Sequence, residues 1–178
     1  MRKLCASLVL CGIGLVSANA NAEGYIALGY AQLDHSDRSF TDGEFDTGNL
    51  VARLGADISP YFGAELRLGT TVVKHEETFR GADVEYKQDY FYGAYLRVKW
   101  DNTTSLTPYA ALGVAGGRER LDSNVISGRD NWNDVSYAAG VDMDLTDRIG
   151  INAEYTQYRD DEYDISIDGP SVSAVWKF

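Results

Sequence analysis

Residues 50–73 read LVARLGADISPYFGAELRLGTTVV. Leu50, Ala52, Leu54, Ala56 and Ile58 alternate with Arg53, Gly55 and Asp57. After Ser59-Pro60-Tyr61 the rhythm resumes, with Phe62, Ala64, Leu66, Leu68, Thr70 and Val72 set against Gly63, Glu65, Arg67 and Gly69. A two-residue period is that of a β-strand with two unlike faces. The proline falls at the break, where a missing backbone N–H does least harm.

The same period extends outward in both directions. It predicts strands near 24–33, 48–58, 62–73, 87–100, 107–118, 133–145, 148–158 and 169–178, eight in all. Connections alternate in kind. Those around 59–61, 101–106 and 146–148 are short, whereas those around 34–47, 74–86, 119–132 and 159–168 are long and polar. One antiparallel up-and-down sheet with two unlike ends produces such a rhythm.

Sorting alternate residues gives two faces. One is apolar throughout, as in Leu54, Leu68, Tyr92, Leu96, Leu112, Val141, Ile151 and Val172. The other holds Arg53, Asp57, Glu65, Arg67, Asp89, Arg97, Lys99, Asp142, Asp144, Glu154 and Lys177, interleaved with glycines such as Gly55, Gly69, Gly93, Gly113 and Gly140. Two inside-out architectures fit this split: a soluble barrel with the apolar set inside, or a membrane barrel with the apolar set against lipid. The glycines favour the second, because a bore of eight strands holds side chains and little else, so long charged residues there need small neighbours.

Three further features point the same way. The strands have the roughly 10-residue length of a tilted membrane strand. Aromatics of the apolar parity gather near strand ends, among them Tyr30, Phe62, Tyr90, Tyr92, Trp100, Tyr155, Trp176 and Phe178, as interfacial girdles require. Third, residues 1–22 have the form of a cleaved export signal: basic Arg2 and Lys3, an apolar run from Leu4 to Val16, and small residues at Ala20-Asn21-Ala22. The mature domain is therefore expected to span 23–178.

Both cysteines, Cys5 and Cys11, lie in that leader, which removes thiol, disulfide and cysteine–metal chemistry from the mature chain. Without Arg2 and Lys3, 14 basic side chains face 27 acidic ones, a formal charge of −13 that argues against nucleic acid as a partner.

Together these residues resemble the small outer-membrane β-barrels of the OmpA/OmpX and opacity-protein kind, over the whole span from Glu23 to Phe178. The resemblance rests on the leader, the eight alternating strands, the short and long connections in turn, and Val172-x-Ala174-x-Trp176-x-Phe178 at the end. It implies residence in a Gram-negative outer membrane, lipid and lipopolysaccharide as surroundings, a monomeric state, and reading of the terminal aromatic strand by the barrel-assembly machinery. It also implies a structural or surface-interaction role without a cofactor. A narrow pore or a lipid-modifying enzyme in the same barrel is one alternative, and an exported soluble β-barrel binding a small apolar ligand is another.

The inward charges are expected to plug the bore as ion pairs, Arg53 with Glu65 foremost. His35 and His75 fall on or beside long connections, where solvated histidines are expected; Ser36 beside His35 fixes no catalytic geometry. Carboxylates crowd the first and last long connections, but no Ca²⁺-loop spacing is present and no metal site is assigned. Arg118, Arg120, Arg129 and Trp132 on the third long connection offer cationic and aromatic contacts to lipopolysaccharide phosphates or a host ligand. Gly116-Gly117 is expected to let that strand twist or bulge.

Overall fold

The computed structural model describes residues 23–37, 43–73, 75–79, 82–100, 104–123, 127–160 and 165–178, and within them the side chains of 23–35, 46–73, 90–100, 104–118, 131–160 and 166–178. Every regular element among them is a strand: β1 (Glu23–Asp37), β2 (Gly43–Asp57), β3 (Phe62–Val73), β4 (His75–Phe79), β5 (Ala82–Lys99), β6 (Leu106–Ser123), β7 (Ser127–Asp144), β8 (Ile149–Asp160) and β9 (Ile165–Lys177). β3 and β4 both pair with β5 and form one stave, so nine strands make eight staves.

All neighbours are antiparallel, and the sheet closes on itself. β9 pairs with β1, with Tyr25 opposite Lys177 and Ala31 opposite Ser171. Reciprocal backbone bonds join Phe178 N to Gly24 O at 2.9 Å and Gly24 N to Phe178 O at 3.2 Å. The last strand thus has no free edge, which removes the exposed ladder that hydrocarbon could not satisfy.

The end bearing the termini is tight. Ser59 Oγ accepts the backbone N–H of Phe62 at 3.0 Å, and Thr146 Oγ1 accepts that of Ile149 at 3.0 Å, so each hydroxyl fixes its own hairpin. At the opposite, distal end the strands run well past the expected boundaries. The connections expected at 34–47, 74–86, 119–132 and 159–168 are mostly strand, with β6 and β7 paired out to Asp122 opposite Ser127. Those segments lack apolar alternation because polar residues meet water there, but their backbone ladder continues. The export signal at 1–22 and Asp42, Asp161, Glu162 and Asp164 lie outside the described residues.

The two faces fall as the parity dictates. Leu54, Leu68, Leu96, Leu112, Val135, Tyr155 and Val172 are exposed on the outer wall, and Arg53, Glu65, Arg67, Arg97 and Glu154 are buried inside. Ala56 alone among the apolar set is buried, shielded by its neighbours. Two outward belts of aromatics bracket the wall: Phe62, Trp100, Trp176 and Phe178 near the termini, and Tyr30, Tyr90, Tyr92, Tyr137 and Tyr155 toward the distal end.

Candidate functional site

The bore at the depth of the apolar wall is filled by one connected polar cluster. Arg67 is its hub: Nε donates to Glu65 Oε1 at 2.6 Å, while Nη1 and Nη2 donate to the two oxygens of Glu154 at 2.6 and 2.8 Å. This fork-to-fork contact is the strong form of a charged hydrogen bond. Arg97 Nη2 donates to Asp142 at 2.6 Å and Nη1 to Tyr25 OH at 2.5 Å, and the Tyr25 hydroxyl in turn donates a hydrogen bond to Glu65 at 2.6 Å. Arg53 donates to Asn152 at 3.0 Å and Ser171 at 2.9 Å.

The expected Arg53–Glu65 ion pair is present at 3.9 Å, and each group also has a nearer partner: Arg53 lies 3.2 Å from Glu154, and Arg67 lies 2.6 Å from Glu65. The register puts Arg53 opposite Arg67, so the arginines share two carboxylates diagonally. Three buried cations, Arg53, Arg67 and Arg97, meet three carboxylates, Glu65, Asp142 and Glu154, and the cluster is neutral. Such balance is what makes buried ions tolerable, since an uncompensated one costs several kcal/mol. Lys99–Asp57 and Lys177–Asp144, each at 2.6 Å, sit at the terminal rim in partial contact with water. Asp89 lies at the irregularity between Gln88 and Tyr90 of β5, and its side chain is outside those described.

Tyrosines that the parity argument left uncounted complete the cluster. Tyr109 OH donates to Glu154 at 2.6 Å and receives Asn152 Nδ2 at 2.8 Å. Arg67 lies 4.0 Å over the Tyr95 ring and Arg97 3.8 Å over that of Tyr109, adding cation–π attraction in a dry site. The signal was available, because Tyr25, Tyr95 and Tyr109 stand on the charged parity. They also correct the expected reason for the inward glycines. A Cβ on Gly55 would lie 2.2 Å from the Tyr25 ring, and one on Gly140 2.7 Å from Tyr109 OH, so aromatic rings rather than charged chains need the space.

Beyond the tyrosine belt the filling changes. Ala31, Leu33, Val51, Phe91, Ala115, Trp132, Tyr158 and Ile167 form a buried apolar cluster across the bore. Phe91 meets Tyr158 edge-on, with ring centroids 4.9 Å apart. Trp132, expected to be displayed for surface contact, is buried here at 5 % exposure, and its ring occupies the space a Cβ on Gly117 would need. Gly117 therefore admits a ring rather than a bulge; the β6–β7 register passes both glycines unbroken.

His35 is likewise not a solvated loop residue. It lies on β1, faces inward at 6 % exposure, and its Nε2 is 3.0 Å from Thr47 Oγ1. Burial outweighs nearby Asp168 and Asp46 and lowers its pKa from 6.5 to about 4. His75 lies in β4, with its side chain outside those described. Arg118 stays on the outer wall, donating Nε to Asn131 Oδ1 at 3.0 Å with its guanidinium 5.5 Å over Tyr90. Arg120 and Arg129 are direct register partners. Among the described residues no three His, Asp or Glu side chains form a metal-ligating group.

The family model of the outer membrane protein beta-barrel domain matches residues 4–178. Solved structures agree in fold. Ail of Yersinia pestis, in complex with the heparin analogue sucrose octasulfate, is 19 % identical, covers 88 % of this chain and 99 % of its own, and gives a TM-score of 0.62. Neisserial surface protein A is 14 % identical over 87 % and 97 % of the chains with a TM-score of 0.64. The N-terminal barrel of Pseudomonas aeruginosa OprF is 14 % identical over 88 % and 98 % with 0.60. No curated protein sequence matches.

Proposed function

The chain belongs to the family of outer-membrane protein β-barrel domains, and from that premise we propose that it is a non-enzymatic, non-conducting barrel that supports the envelope and presents its outer strands for surface interaction. The supporting observation is the filled bore. A neutral ion cluster fills the inner half, and an apolar cluster flanked by hydrogen-bonded His35, Thr47, Asn49 and Thr71 fills the outer half, so an ion entering would meet buried side chains at both depths.

Planar-bilayer recording of the refolded barrel tests the reading. No steps above the leak of protein-free bilayers are expected, and resolved unitary currents would replace it with a narrow pore. Lipid A recovered from cells that make the protein should keep its mass; a lost or added acyl chain would establish an enzyme instead. In this proposal the protein is a monomer, residues 1–22 are removed on export, and Val172, Ala174, Trp176 and Phe178 are read by the barrel-assembly machinery. N-terminal sequencing should begin at Glu23, and Phe178→Ser should slow assembly more than it lowers the stability of the folded barrel.

A further inference from the structure

We propose that Arg53 is a clasp across the closing seam of the barrel, a device that holds the first and last strands together and favours the completed cylinder over an open sheet. The β1–β9 ladder joins the two ends of the chain, whereas every other ladder joins staves that follow one another along it. Pairing β1 with β9 therefore closes the longest loop in the molecule and carries the largest entropic cost of any ladder.

Arg53 stands on β2, on one side of that seam, and its hydrogen bonds land on the other. Nη2 donates to Ser171 Oγ of β9 at 2.9 Å and Nη1 to Asn152 Oδ1 of β8 at 3.0 Å, with Glu154 of β8 3.2 Å away. The guanidinium thus crosses β1 altogether. In a sheet opened at the seam, the staves of β3, β5, β6 and β7 separate β2 from β8, so these contacts arise only when the sheet has curled shut. Until then Arg53 has Glu65 alone, 3.9 Å away and shared with Arg67. A charge that loses water without gaining a partner is costly, and closure removes that cost.

The seam strands make room for the crossing. At the rows concerned they present Ala27, Gly29 and Ala31 from β1 and Ser173 and Ser171 from β9. A Cβ on Gly29 would collide with the Ser173 hydroxyl and the Val172 carbonyl, so even one more carbon there would press the two strands apart. The neighbouring ion pairs lack this geometry. Arg97 reaches Asp142 from β5 to β7, with only β6 between them, and that pair is available to an open sheet. Arg67 and Glu154 stand on opposite staves of the bore and favour curling without spanning the seam by its short side.

The test places cysteine pairs on the outer wall of the mature chain, which is otherwise free of cysteine. Leu28→Cys with Ala174→Cys bridges the seam, and Ala110→Cys with Ala139→Cys bridges β6 and β7 as the control. Each is refolded into phosphatidylcholine vesicles with a membrane-permeant oxidant. Arg53→Met should slow cross-linking of the seam pair at least about tenfold and that of the control pair by less than about twofold. Asp142→Asn should affect the two pairs alike. Once oxidised, the seam disulfide should restore the urea resistance of Arg53→Met more than the control disulfide does. Equal slowing of both pairs by Arg53→Met, an unchanged seam rate, or a seam-selective effect of Asp142→Asn as large as that of Arg53→Met would overturn the proposal. Heat-dependent gel mobility reports folding. If Arg53→Met does not fold, Arg53→Lys decides the matter: one ammonium can hold Glu154 but not Asn152 and Ser171 as well, so the seam pair should lag the control pair, and equal rates would refute the clasp.

Discussion

On β1 the outward positions are Ile26, Leu28 and Tyr30 up to the belt and Gln32 and Asp34 beyond it, while the inward ones run Tyr25, Ala27 and Gly29 and then Ala31 and Leu33. β7 does the same: Tyr137 and Val135 are outward within the wall, Asn133 and Asn131 farther out, with Trp132 inside. The strands do not slip; the solvent outside them changes. Against hydrocarbon the wall must be apolar and the bore holds ions. Against water the same staves turn polar outward, and the filling becomes apolar around Leu33, Phe91, Trp132, Tyr158 and Ile167, with a buried hydrogen-bonded strip of His35, Thr47, Asn49 and Thr71 beside it. The two stretches solve one packing problem against two solvents, and they join at the tyrosine belt.

The ionic half should be the more fragile to single changes. Arg67→Met strips Glu65 and Glu154 of their principal partner at a site with no exposed side-chain surface. A loss of about 3–5 kcal/mol is expected, read as a lower urea midpoint for the barrel equilibrated in lipid vesicles. A loss under about 1 kcal/mol would mean that water reaches the cluster, and the bore would then be a channel.

The inversion itself is tested on one strand. Leu28→Lys, on the exposed wall inside the belt, should cost roughly 2–4 kcal/mol, whereas Gln32→Lys, four positions farther out, should cost about 0–1 kcal/mol. Equal costs would place both positions in the same solvent and remove the distinction between the halves.

How much of this was legible depends on which half is read. Inside the belt, charged and apolar residues alternate so regularly that the two faces follow from Leu50–Val73, and the inward glycines and the aromatic strand ends turn them into wall and filling. Farther out, polar residues stand on both faces and blur the apolar alternation, so the pattern there reads as loop and leaves Trp132 and His35 as exposed residues. Tyr25, Tyr95 and Tyr109 are harder to place for a different reason: a tyrosine serves both in a girdle and in a bore, and only its parity separates the two uses. The sharing of Glu65 and Glu154 among three arginines needs the register across several staves, which no single hairpin contains.

His35 gives the outer half a pH signature of its own. Its folded pKa of about 4 lies below the ordinary 6.5, so the folded state holds the ring neutral while the unfolded chain protonates it. The contribution is complete above pH 6.5 and is lost as pH falls toward 4. Urea midpoints of wild type and His35→Gln should converge over that window, and parallel curves would show that the ring is not buried as a neutral group.

The smallest effect lies on the boundary between the halves. Tyr158 packs its ring against Phe91 in the apolar cluster, and its buried hydroxyl has no hydrogen-bond partner among the described residues. A buried donor without a partner destabilises, so Tyr158→Phe should leave stability unchanged or raise it by up to about 1 kcal/mol. The ring contact is kept in this variant, which isolates the hydroxyl. If stability instead fell by more than about 1 kcal/mol, an ordered water would have to be satisfying that group. The polar filling would then reach past the tyrosine belt, and the change from ionic to apolar packing would be a gradient rather than a boundary.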